Sequence, residues 1–89
     1  MTLNITVNVW SEGDQYIAHA MPLDVVSSGP TPQAARQAVD EAVRCFLKAA
    51  ADVGTLEEVL EECGYRRHEG AWVGPDWVGV ERHTVAVAV

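Results

Sequence analysis

The chain has 89 residues, with thirteen acidic against six basic side chains and a formal charge of -7. That length supplies one modest core and excludes a second. The charge disfavours unassisted binding to a phosphate backbone, which is built on cations, and suits a basic partner better. Nearly half of the residues are apolar and four are proline, which argues against a disordered chain. No run of about 18 apolar residues could span a bilayer, and no basic-then-apolar leader opens the chain, so a cytoplasmic, membrane-free protein is expected.

Residues 3–9 alternate, with Leu3, Ile5, Val7 and Val9 on one side and Asn4, Thr6 and Asn8 on the other. That is the pattern of a strand with one wet face. Trp10 follows, then Ser11-Glu12-Gly13-Asp14, where Gly13 suits a tight hairpin. A second strand over residues 15–20 should pair antiparallel with the first. Tyr16, Ala18 and Ala20 share one of its faces and Ile17 and His19 the other, and the pattern leaves open which is buried. Met21-Pro22-Leu23 breaks the ladder, because proline cannot donate. A third short strand over residues 24–28 leads into Gly29-Pro30-Thr31-Pro32.

There a helix of about six turns begins, capped by Thr31 with Pro32 in its first position. Ala35, Ala38, Val39, Ala42, Val43, Phe46, Leu47, Ala50 and Val53 recur at spacings of three and four and form its apolar face. Among these, Phe46→Ala is expected to cost most. Gly54 ends the helix. Thr55-Leu56-Glu57-Glu58 then reads as a capping box in which threonine and Glu58 serve each other's N–H groups. The second, two-turn helix buries Leu56, Val59, Leu60 and Cys63, presents Glu57, Glu58, Glu61 and Glu62 outward, and stops at Gly64. The glutamates form either a solvated surface or a docking patch.

Residues 66–70 read as loop, and residues 72–77 mix the large aromatics Trp72 and Trp77 with breakers. The two tryptophans either plug an edge of the core or anchor a partner, as tryptophan does at interface hot spots. The last eight residues, Arg82-His83-Thr84-Val85-Ala86-Val87-Ala88-Val89, predict a strand with two apolar faces, central in the sheet or at an edge covered by another subunit. A homo-oligomer is therefore expected. The expected fold is α+β: an antiparallel β-β-β-α-(α)-β chain, a single domain over residues 1–89, with the long helix on one face of a small sheet.

No chemistry-bearing constellation emerges. Cys45 and Cys63 lack the neighbours that chelate zinc and read as two buried free thiols. Asp24 is the only acid expected on the first three strands, short of the carboxylate cluster that metal-dependent nuclease chemistry needs. His19, His68 and His83 are scattered in sequence, and His19 reads as a half-exposed strand histidine. No enzyme activity, cofactor or metal is expected.

Tyr16-Ile17-Ala18-His19-Ala20, Met21-Pro22-Leu23, the Gly29-Pro30-Thr31 turn, and Gln33-Ala34-Ala35 leading to Glu41-Ala42 together resemble the HicB antitoxin family over roughly residues 3 to 65. The resemblance implies a partial RNase H-like fold. It also implies a binding role, in which the protein neutralises a small basic HicA-type messenger-RNA ribonuclease by covering its active histidine. Many members carry a further DNA-binding domain; none is recognisable here, so no operator binding is expected. The contact residues expected for a partner are Glu57, Glu58, Glu61, Glu62, Trp72 and Trp77. The alternative is a HicB-like oligomerisation or interaction module without a toxin.

Overall fold

The computed structural model describes residues 1–89. Three antiparallel strands, β1 (Thr6–Glu12), β2 (Gln15–Met21) and β3 (Val25–Gly29), form a sheet in that order with β2 in the centre. Helix α1 (Pro32–Asp52) and the short helix α2 (Leu56–Glu62) follow, then a hairpin of β4 (Arg66–His68) and β5 (Ala71–Val73). No helix is long and apolar enough to cross a membrane.

The first hairpin turns on Gly13, at φ 64°, between the paired residues Glu12 and Gln15. That two-residue turn sets a register in which Val7 faces Ala20 and Val9 faces Ala18. The face of β2 that the sequence leaves undecided is thereby settled: Ala18 and Ala20 are fully buried, whereas Ile17 and His19 lie on the opposite face. The alanines let α1 come close, and Ala35 and Val39 of the helix are fully buried too. At the end of β3 the approach is closer still. A Cβ on Gly29 would stand 2.8 Å from the Ala35 nitrogen, so only glycine fits where strand and helix start meet.

Thr31 caps α1 as expected, its Oγ1 accepting from the Ala34 N–H at 3.0 Å, with Pro32 in the first helical turn. Both helices end on the same device. Gly54, at φ 81°, donates its N–H to the Ala51 carbonyl, and Thr55 donates to that of Ala50. Gly64, at φ 98°, repeats this with Glu61, and Tyr65 with Leu60. This is the Schellman arrangement, in which a left-handed glycine turns the last N–H groups back onto orphan carbonyls.

The first of these turns explains a departure from expectation. The capping box at Thr55-Glu58 does not form: Thr55 makes no side-chain cap to α2. Its N–H is already given to Ala50, and its hydroxyl donates to the same carbonyl at 3.4 Å. Closing α1 thus consumes the groups that would have opened α2.

Tyr65 is the side chain that the periodicity does not find. Placed by the second Schellman turn, it is buried beside Leu60, and its hydroxyl donates to the Asn4 carbonyl at 2.6 Å, tying the end of α2 to the chain that enters β1. Tyr65, Leu60 and Val39 are the largest fully buried side chains. Phe46 is not among them. It is 40% exposed, at the margin of the α1 face, so the expectation that its truncation costs most is corrected. The reading of two buried thiols is likewise corrected, since Cys45 is exposed and Cys63 half-buried.

Sequence and structure differ most at the C-terminal end. Residues 66–70, read as loop, form with residues 71–73 a hairpin whose turn, Glu69 and Gly70, takes positive φ at both positions. The strand predicted over residues 82–89 does not form in the single chain; residues 74–89 lack regular structure, and 82–89 are exposed. The physical reason is that no strand of the same chain pairs with them.

Candidate functional surfaces

The acidic face of α2 stands as the helical spacing places it, with Glu57, Glu58, Glu61 and Glu62 all exposed. Glu57 differs from the others. Its Oε1 accepts from Arg67 Nη2 at 2.8 Å, and the Arg67 guanidinium lies 5.1 Å from the centre of the Trp72 ring. Arg67 therefore joins the helix to β5 across the short hairpin, which the register Arg67 to Trp72 makes possible. Exposed pairs of this kind contribute little to stability, about 0–1 kcal/mol. Their consequence is positional: one carboxylate is matched, and Glu58, Glu61 and Glu62 remain as acceptors without an ion-pair partner.

Trp72 and Trp77 line one cleft, together with the residues between them and with Asn4, Thr6, Met21 and Pro22. Trp72 is half-buried and packs against the core, while Trp77 is 47% exposed. Trp72 thus plugs an edge of the core, and Trp77 does not. Gly74 belongs to the same construction, since a Cβ there would sit 2.9 Å from the Tyr65 ring.

A second surface is the sheet face turned away from α1. The hairpin register sets Trp10 opposite Ile17, and Asn8, His19 and Val26 in a row across three strands. Trp10 meets the His19 ring edge-on at 6.4 Å between centroids. His19 donates from Nε2 to Asp24 Oδ1 at 2.5 Å. Asp24 is not on β3 but just before it, at φ 59°, so the proline break and its turn bring the carboxylate back over the central strand. The pairing is local, made across the turn at Pro22 that joins β2 to β3.

Cys63 and Tyr65 neighbour one another below α2. Burial pushes the Cys63 thiol up, helped by the carboxylates of Glu62 and Asp24. Burial also pushes the Tyr65 phenol up, with a smaller contribution from Cys63. Both shifts favour the neutral forms, so Cys63 is held as a thiol and is poorly suited to nucleophilic work. No three His, Cys, Asp or Glu side chains stand close enough to share a metal ion.

Taken together, these surfaces and the fold define a small α+β protein with a helix on one face of its sheet. Compared with known proteins, the chain matches no family model, no curated protein and no solved structure. None of these comparisons links the chain to the HicB antitoxins.

Proposed function

We propose that this chain is a protein-binding module that works by covering a basic partner, as the HicB-like antitoxins it resembles cover a small HicA-type ribonuclease. The contact surface in this reading is the outer face of α2 with the adjoining Trp72–Trp77 cleft. The observation that supports it most is that Arg67 touches both Glu57 of α2 and the half-buried Trp72, which joins the acidic helix face to the end of the Trp72–Trp77 cleft. Carboxylates of one sign steer a basic protein to the site, and a half-exposed aromatic gives it an anchor. No bond is made or broken by this chain; its action is occlusion.

The test is capture with the full chain as bait, at low and high salt, followed by titration of what is recovered. A small basic protein bound more tightly at low salt is the expected result. The triple change of Glu58, Glu61 and Glu62 to lysine should weaken its binding at least about tenfold, with Trp77→Ala also weakening it. Binding unchanged by both variants would remove this surface from the reading.

A second reading, self-association, is favoured by a different observation: the valines of the terminal segment stand in solvent, Val85 at 75% and Val87 at 71% exposure. An apolar run of this kind is normally covered.

A further inference from the structure

The sheet is open along β1. That strand pairs with β2 alone, and none of the backbone bonds outside the helices and ladders involves residues 6–12. Half of its N–H and C=O groups therefore point outward unpaired, as at any edge. Natural edges are protected by charge, proline or a covering element. From Thr6 to Trp10 this one reads Thr-Val-Asn-Val-Trp, with no charge and no proline before Glu12.

Alongside that edge lies an apolar groove. Helix α1 packs on β3 and β2 and only grazes β1, so Val7 and Val9 are half-buried rather than buried. Between the chain entering β1 and the helix, Leu3, Ile5, Val43 and Leu47 line a depression with Asp40 and Arg44 at its rim. A strand laid beside β1 would direct every second side chain toward that helix side.

The chain carries a segment of that description. Residues 84–89, Thr-Val-Ala-Val-Ala-Val, have no charge, no proline and strict alternation of valine with a small residue. Valine at every second position favours a pleated, half-buried strand. Yet all three valines are exposed, and the chain is drawn out, with a radius of gyration of 15.4 Å against about 12 Å for a compact chain of this length. The segment stands away from its own sheet.

We propose that residues 84–89 of one copy add as a fourth strand to the β1 edge of a second copy, with Val85, Val87 and Val89 facing the Ile5–Val43–Leu47 groove. Reciprocal exchange then closes a two-fold dimer in which both edges and both segments are paired. Main-chain hydrogen bonds supply the attachment and the valine row sets its register, as in other strand additions. The proposal deepens the self-association reading and rests on it.

The test uses the full chain and Ala86→Pro, which removes one N–H from a segment that the fold of the single chain does not use. Light scattering over a concentration series should give wild type about twice the 9.6 kDa chain mass, and the variant one chain mass with unchanged circular dichroism. Exchange of β1 amides in wild type should slow at least about tenfold as the dimer forms, and not in the variant. A wild-type chain that stays monomeric overturns both the exchange and self-association, including the case in which β1 amides are protected by the chain's own segment. A dimer that Ala86→Pro leaves intact, with β1 amides still fast, overturns the exchange alone.

Discussion

Helix α1 and the terminal segment carry the same signal and meet different fates. Each repeats apolar residues at the period of its expected structure, and each contains valines on one face. Val39 of the helix is fully buried, whereas Val87 of the segment is 71% exposed. What separates them is the element opposite. The Gly29 turn brings α1 onto Ala18 and Ala20, while nothing in the same chain pairs with residues 84–89. Periodicity thus states that a face will seek cover and is silent on what supplies it.

The largest effect should come where the contrast with the open end is greatest. Tyr65→Ala removes a buried ring and its bond to Asn4, and should cost about 3–5 kcal/mol in urea unfolding. Tyr65→Phe keeps the ring and should cost about 1 kcal/mol. Equal losses would mean that the bond, not the packing, holds the end of α2.

The comparison itself is broken or upheld by one matched pair. Val39→Ala should lose about 2 kcal/mol, two methyl groups out of a close-packed site. Val87→Ala, measured at a concentration where the chain is monomeric, should stay within about 0.5 kcal/mol of wild type. A similar loss at both would show that the segment packs within its own chain.

Thr31 and Thr55 sharpen the same lesson at the helix ends. Thr31→Ala deletes a formed cap and should cost about 1 kcal/mol in thermal or urea unfolding. Thr55→Ala deletes only a long hydroxyl contact and should cost less than about 0.5 kcal/mol.

The smallest effect is a pH dependence. Cys63 and Tyr65 both have folded values raised by burial, so the unfolded chain gives up these protons first. Stability is therefore full in the neutral range and is lost as pH climbs past the ordinary thiol value, then past the ordinary phenol value. Urea midpoints from pH 7 upward should decline above about pH 9. Tyr65→Phe should remove the upper part of that decline.

Local chemistry made much of this protein legible. The alternation of residues 3–9 announced β1, although the ladder itself begins at Thr6 and runs on to Glu12. Thr31-Pro32 and Gly54 bounded α1, and the four glutamates of α2 fell on one exposed face. These features are decided within a turn or two of chain, by caps, breakers and the direction of side chains. The hairpin at Arg66–Val73 escaped because charged residues and a tryptophan mask a three-residue ladder, although Glu69-Gly70 held its turn.

What only the tertiary structure decided concerns groups distant in sequence. Which face of β2 is buried, why Phe46 lies at a margin while Tyr65 fills the centre, and how Arg67 divides its contacts between Glu57 and Trp72 all depend on which surfaces the turns bring together. The failed capping box at Thr55 is the same point at close range. Its residues were right for the motif, but one N–H serves one strong acceptor, and closing α1 had taken it. A sequence declares what each residue can do; folding decides which neighbours are there to do it with, because burial and pairing are properties of the surfaces that meet.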